Sequence, residues 1–421
     1  MRKKLLGLAL LASAVFACTP KNDIVNDNIS FAEKQLAGLI AESEEGDTVR
    51  FPSTVKDGKV VFVPMRDWVS GFFAGTMWYM YELTGNEDYA VHARKQTEAL
   101  RDLQYFTSHH DVGFMVYDSF GNGLRLKNIP GYDTVVVNTA KSLATRFRPN
   151  AGIIQSWNVT GGWQKERVWK CPVIIDNMMN LELLFRASEI SGDPTFRNIA
   201  ITHADKTLEN HFRSDYSSYH VVDYDPETGA VRSRETAQGA GDESRWSRGQ
   251  SWALYGYTAT YRYTKEPRYL EQAKHIADFL VNEKNMPEDF VPLWDYDAAE
   301  YAKVTPAYEK YVNQRDASAG AIMASALYEL WQYTKDSNYL KTADKIVTSL
   351  SAAPYRAELG TNGGFLLQHS VGSIPHGGSI DVPLNYADYY LLEALVRKRH
   401  IERGENPVEY ISSILFLSMK N

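Results

Sequence analysis

The chain has 421 residues, of which 23% are charged and 44% hydrophobic, with a formal net charge of −7. This composition excludes a disordered chain, because it can bury a large core. The acidic balance, with no basic run in the body of the chain, excludes nucleic acid as a partner, since phosphate contacts need clustered Lys and Arg. The 26 Tyr and 9 Trp suit a protein that stacks on the flat faces of sugar rings, although large cores use them as well.

Arg2, Lys3 and Lys4 precede the apolar run Leu5 to Phe16, which is too short to span a bilayer and predicts a secretory leader over 1–17. Cys18 follows in Val15-Phe16-Ala17-Cys18, the pattern of a bacterial lipobox with a bulky Phe16 in place of a small residue. Cys18 is thus expected to carry a lipid on an exported, periplasm-facing protein, the alternative being an ordinary leader with an incidental Cys. The polar stretch 18–28 is expected to be a tether. Only Cys171 then remains in the body, so no disulfide forms within it.

Apolar periodicity predicts helices over 29–43, 68–84, 86–103, 135–147, 173–190, 194–212, 246–264, 266–283, 317–334, 336–351, 383–398 and 406–417. Strand signals are confined to Lys59–Val63 and Tyr219–Asp223. One pattern recurs, a Gly or Lys after an apolar segment, an acidic or Pro-bearing turn, then an aromatic: Tyr89, Phe196, Tyr269 and Tyr339. It is a helix stop followed at once by a helix start, hence a chain of αα-hairpins. The segments starting at 68, 135, 173, 246, 317 and 383 are apolar on most sides and are expected to form an inner layer. Six hairpins predict an all-α (α/α)6 toroid, a single domain over 29–421. Trp68, Asp176, Trp246 with Arg248, Asp316 and Asn385 mark the inner helix starts, which gather on one face with Gly121-Asn-Gly123 and Asn362-Gly-Gly364 in loops above them. Helix N-termini pointing into one bowl favour an anionic ligand.

His109-His110-Asp111 allows a structural reading, with Asp111 capping a turn, or a functional one; adjacent residues rarely converge on one metal, and no third spaced ligand accompanies them. Asp176 in Pro172-Val-Ile-Ile-Asp176 reads as an N-cap or as a desolvated acid, because its apolar flank raises a carboxyl toward the range a general acid needs. Arg248 and Trp252, four apart, are expected to present a fork for a sugar carboxylate and a ring for the pyranose, with an Arg–Asp pair, to Asp242, as the structural alternative. Trp68 and Phe72, also four apart, are expected to add an aromatic wall.

Trp68-Val-Ser-Gly-Phe-Phe-Ala-Gly75, His110-Asp111-Val-Gly-Phe114, Ile175-Asp176-Asn-Met-Met-Asn180, Thr236-Ala-Gln238-Gly, Trp246-Ser-Arg248-Gly-Gln-Ser-Trp252 and Ala387-Asp-Tyr-Tyr-Leu-Leu-Glu-Ala394 resemble, in order, the motifs of the unsaturated glucuronyl hydrolases of glycoside hydrolase family 88. The resemblance implies an (α/α)6 barrel, with Asp176 as general acid/base and Asp111 as its carboxylate partner. It implies as substrate the 4,5-unsaturated uronic acid that polysaccharide lyases leave on the non-reducing end of glycosaminoglycan oligosaccharides. The implied reaction protonates C4 of the enol ether and adds water at C5, and the hemiketal then collapses to release the next sugar, without metal or organic cofactor. His110, His220, Gln238, Arg248 and Trp252 match positions lining the uronate site of that family, and Trp68, Phe72 and Trp157 match more loosely. The loop Ser373-Ile-Pro-His376-Gly-Gly-Ser379 lacks the Lys that some members use for sulfated sugars, leaving Ser373, His376 and Ser379 to meet a sulfate. The alternatives are an unsaturated rhamnogalacturonyl hydrolase acting on pectin fragments and a non-catalytic carbohydrate-binding lipoprotein.

Overall fold

Four times along the chain a helix ends on a left-handed residue and the next helix begins directly after it. Gly85, Gly192, Lys265 and Lys335 have φ between 55° and 73°, and each donates its N–H back to the carbonyl four residues earlier. Asn86, Asp193 and Asp336 then cap the following helix through their side chains, and Pro267 opens the fourth. The two Lys residues accept a backbone that favours Gly while their ammonium groups lie over Trp331 and Tyr261. The aromatic of each repeat is buried, and two of them reach the preceding outer helix: Tyr269 donates to Asp205 at 2.7 Å and Tyr339 to Asp278 at 2.6 Å.

A computed structural model describes residues 23–46 and 48–408. The expected leader, Cys18 and residues 409–417 of the last expected helix lie outside them. The helices are α1 (Ile24–Ser43), α2 (Phe72–Thr84), α3 (Glu87–Glu98), α4 (Val112–Val116), α5 (Asn122–Lys127), α6 (Tyr132–Ala144), α7 (Leu181–Ser191) and α8 (Pro194–Asn210). They continue with α9 (Ser247–Thr264), α10 (Pro267–Val281), α11 (Ala298–Ala302), α12 (Ala317–Thr334), α13 (Ser337–Leu350) and α14 (Asn385–Glu402). Four small antiparallel sheets occupy the connections: β1 (Phe51–Lys56) with β2 (Lys59–Val63), β3 (Phe147–Arg148) with β4 (Ile153–Ile154), β5 (Cys171–Ile174) with β6 (Val221–Tyr224) and β7 (Val231–Glu235), and β8 (Ser370–Ser373) with β9 (Gly378–Val382).

The inner ring runs α2, the α4–α5 stretch, α7 with the 3-10 turns before it, α9, α12 and α14, each packed on the next and the last on the first. The outer ring is α1, α3, α6, α8, α10 and α13, so the fold is the expected (α/α)6 toroid. In α12 every residue from Ala317 to Leu330 is buried, whereas α13 buries only one side.

Five expectations need correction. The second inner element is not 135–147, which becomes the one-sided outer helix α6. It is 112–127, where α4 and α5 are joined by a π turn over Tyr117–Gly121. Gly121-Asn-Gly123 is therefore helical, not a loop over the site; a Cβ on Gly123 would come within 2.6 Å of the Tyr132 ring. The expected helix 173–190 begins as strand β5, because Val173 and Ile174 pair with β6 instead. Finally, α1 starts at Ile24, capped by Asp23, so part of the expected tether is helix, while 403–408 beyond α14 are turns.

Candidate active site

Strands β5 and β6 deliver two side chains to the same place. Their register pairs Ile174 with Val221, and Ile175 donates its N–H to the His220 carbonyl at 3.0 Å. Asp176 thus emerges one residue past that bond, in a 3-10 turn over Ile175–Asn180, beside His220. It caps no helix. Its Oδ2 lies 3.9 Å from His220 Nε2 and makes no hydrogen bond of ordinary geometry among the described residues, while the Trp252 indole also acts to lower the carboxyl. Burial pushes the Asp176 carboxyl up to about 7; the Arg248 guanidinium opposes this and the Asp111 charge adds to it.

His220 is fixed in one tautomer. Its Nδ1 accepts the backbone N–H groups of Ala237 (3.0 Å) and Gln238 (3.2 Å), so Nε2 carries the hydrogen and faces Asp176. Burial, with Arg248 nearby, holds the imidazole well below its ordinary range, hence neutral.

Asp111 occupies the N-cap position of α4 but makes no side-chain capping bond, which removes the structural reading of that residue. Its oxygens lie 3.2 Å from His110 Nε2 and 3.1 Å from His109 Nδ1. Burial raises its carboxyl, but the two His residues and Arg146 outweigh this and hold it below the usual range. His110 is oriented by Asn180, whose Oδ1 accepts the Phe114 N–H (2.9 Å) and whose Nδ2 donates to His110 Nδ1 (3.2 Å). Asn180 reaches this position because residue 113 is Gly: a Cβ there would meet Asn180 Oδ1 at 2.4 Å. Two carboxyls thus face one centre in opposite states near neutrality, Asp111 ionised and Asp176 able to hold a proton.

Arg248 does not present a free fork. Its Nη1 donates to Asp316 (2.8 Å) and to the Val371 carbonyl, and its Nη2 to the Gly372 carbonyl (2.7 Å). A wholly buried guanidinium must be paired, and here only Nε lacks a partner among the described residues. The expected pair with Asp242 does not form, since Asp242 accepts the Thr236 N–H. The guanidinium lies over Trp246, whose ring meets His220 at 4.5 Å. Trp252 and Phe72 are also corrected: both rings are fully enclosed, packed with Phe114, Tyr389 and Tyr390, and offer no stacking face. Trp68, in the turn before α2, is half-buried against Tyr386 at 5.0 Å. Asn385 ties the carbonyls of Pro52 and Val69 together and stays out of the site.

The rim is aromatic. Trp157 stacks on Trp169 at 5.9 Å and meets Trp163 at 5.1 Å, while Trp163 faces His376 of the β8–β9 hairpin at 4.9 Å. Ser373 Oγ and His376 Nδ1 bond each other at 2.8 Å, and Gln238 donates to the Gly372 carbonyl at 3.1 Å. Sequence reasoning missed Trp163, Trp169, Asn180 and Tyr386; the spacing Trp157, Trp163, Trp169 in a polar segment was the available signal. A separate polar cavity of about 100 Å³ lies toward the far ends of the inner helices, among Asp118, Arg125, Glu182 and Glu393. Salt bridges such as Arg125–Glu82 line it, and the facing carboxyl pair lies elsewhere. Among the described residues no group of three or more His, Cys, Asp and Glu is placed to hold a metal ion.

Comparison with known proteins gives a consistent outcome. The model of Glycosyl Hydrolase Family 88 matches residues 48–390. An unsaturated glucuronyl hydrolase of Formosa agariphila is 45% identical over 80% of this chain and 82% of its own. An unsaturated chondroitin disaccharide hydrolase of Streptococcus pyogenes serotype M1 is 31% identical over 82% of this chain and 85% of its own. A crystal structure of an unsaturated glucuronyl hydrolase specific for heparin superposes with a TM-score of 0.83 at 42% identity, covering 90% of this chain and 99% of that one.

Proposed function

The chain belongs to glycoside hydrolase family 88, and we propose that it removes the 4,5-unsaturated uronic acid from the non-reducing end of lyase-generated glycosaminoglycan oligosaccharides. The observation that carries this reading is the protonatable, desolvated Asp176 beside an ionised Asp111. Asp176 gives its proton to C4 of the enol ether, and positive charge develops at C5 and the ring oxygen. The resulting Asp176 carboxylate takes a proton from the water that adds at C5, restoring the acid. The hemiketal then opens at the C5–ring-oxygen bond to a ketone, its hydroxyl proton passing to the ring oxygen, and the hemiacetal so formed at C1 collapses to an aldehyde, its proton leaving on the oxygen of the released sugar. Asp111, held by His109 and His110, accepts hydrogen bonds from the sugar hydroxyls. His220, neutral with its N–H toward Asp176, donates to the site without competing for the proton. The Trp157–Trp163–Trp169 rim and His376 receive the leaving sugar, with Ser373 beside them.

The test follows the ultraviolet absorbance of the C4=C5 bond in unsaturated disaccharides from chondroitin, hyaluronan, heparin and rhamnogalacturonan, with wild type and Asp176→Asn side by side. Loss on a glycosaminoglycan disaccharide, abolished in the variant, is expected. Loss only on the pectin fragment moves the protein to a rhamnogalacturonyl hydrolase, and binding without loss makes it a carbohydrate binder.

We also propose export to the periplasm and lipidation at Cys18, supported by the basic start, the short apolar run and the position of Cys18. No helix among the described residues is long and apolar enough to cross a membrane. Fatty-acid labelling of wild type, lost in Cys18→Ser, is the expected result.

A further inference from the structure

Resting on the reading of Asp176 as the acid, we propose that Asp316 is a positioning residue for the reaction: it neutralises Arg248 where that guanidinium faces Asp176, and it latches the β8–β9 hairpin across the site. Asp316 is the N-cap of α12 and is wholly buried. Capping needs only one side-chain oxygen, and Oδ1 supplies it, accepting from the Ser318 N–H (3.1 Å) and hydroxyl (2.5 Å). Ser or Asn would serve that purpose equally well. The charge and the second oxygen are spent on Arg248, which donates from Nη1 to Oδ2 at 2.8 Å.

The same carboxylate also grips the hairpin. Oδ1 accepts the Val371 N–H at 3.3 Å, while Arg248 donates to the carbonyls of Val371 and Gly372. Asp316, Arg248 and residue 371 therefore close a ring of hydrogen bonds that joins α12, α9 and β8. The hairpin carrying Ser373 and His376 to the rim is thus fixed to the residue whose charge acts on the acid.

The charged and titratable groups around Asp176 are few. Arg248 faces it from α9, Asp111 and His110 from the start of α4, His220 from the residue before β6, and the Tyr386 phenol from α14. Asp67 and Arg146 act at one remove, through Tyr386 and Asp111. Arg248 is the only cation facing Asp176 directly among these described residues, and unopposed it would stabilise the Asp176 carboxylate and draw off the proton the reaction needs. A buried anion paired with the guanidinium offsets that field.

The test uses the full chain as wild type, Asp316→Asn, Asp316→Glu, Arg248→Gln and Arg248→Gln/Asp316→Asn. Two readouts are taken: the pH dependence of kcat/KM on a lyase-made unsaturated disaccharide, and the Asp176 carboxyl titration by ¹³C NMR, assigned with Asp176→Asn. Asp316→Asn is expected to move the upper pH limb and the titration down by about one unit, and Asp316→Glu to leave them in place. Equal loss of rate in both variants with an unmoved titration overturns the proposal and leaves Asp316 a cap. If Asp316→Asn does not fold, the double variant decides, because its neutral pair strands no buried charge. Titration below that of Arg248→Gln supports the proposal, and coincidence with it overturns it. Full activity in Asp176→Asn would instead overturn the reading of the acid, an outcome the NMR titration separates from the role of Asp316.

Discussion

His220 Nε2 stands 3.9 Å from Asp176 Oδ2 while two backbone N–H groups, from Ala237 and Gln238, occupy His220 Nδ1. The loop after β7 thereby decides which nitrogen carries the hydrogen. His220→Ala is expected to lower kcat about 100-fold. In wild type, no ionisation of this imidazole near 6.5 should appear in a histidine NMR titration, because burial keeps it neutral.

The pH profile of kcat/KM follows from the two carboxyls. Asp176 must be protonated, so activity falls as pH rises through about 7. Asp111 must be ionised and is held below its ordinary range, so the acid-side loss comes below the usual carboxylate titration. Rates measured from pH 3 to 9 should show a plateau under neutrality and a decline above it.

Stability should run against the site. Asp176 in the folded protein keeps its proton up to about 7, whereas unfolded it loses it near 3.8. Between those values the folded state binds more protons, so stability falls as pH rises across that window. Asp176→Asn removes this penalty and is expected to raise Tm at pH 8, by a stability gain on the order of 4 kcal/mol, with little change at pH 4. Thermal unfolding at the two pH values checks it.

Gly113→Ala places a Cβ 2.4 Å from Asn180 Oδ1 and 2.8 Å from the Asn180 Cα. Backbone is involved, so the 3-10 turn carrying Asp176 must move. The expected cost is about 2 kcal/mol of stability, with kcat falling more than in a surface Gly→Ala control. Denaturant unfolding and initial rates measure both.

Trp163→Ala removes the ring that bridges Trp157 and His376. KM for the disaccharide should rise several-fold, about 1 kcal/mol for a lost aromatic face. The upper pH limb should stay where Asp176 sets it.

Much of this was legible in the sequence, for identifiable reasons. Residues 317–334 read correctly to the residue because the segment is apolar on every side and ends on a left-handed Lys. The stretch 173–190 did not, since its β-branched start is equally at home in a buried helix or strand, and only β6 decides. The π turn at 117–121 hid an inner helix, because its widened register breaks the 3.6-residue period. Asp111, Asp176 and the His residues stood out by type and local setting. The partners that enclose Arg248 and Trp252 did not, as they come from residues 316, 371, 372 and 390, far along the chain.

The pairing of β5 with β6 separates what evolution can vary from what it cannot. A one-residue slip of that ladder would turn Asp176 and His220 to opposite faces, so the segment from Cys171 to Asp176 tolerates no insertion. The segment from Trp157 to Trp169 lies just upstream, outside the ladder, and carries the rim facing His376. Lengthening or recolouring it changes which neighbouring sugar fits while the acid stays in register. New substrate preferences can therefore arise on this scaffold by drift in one exposed segment, without passing through an inactive intermediate.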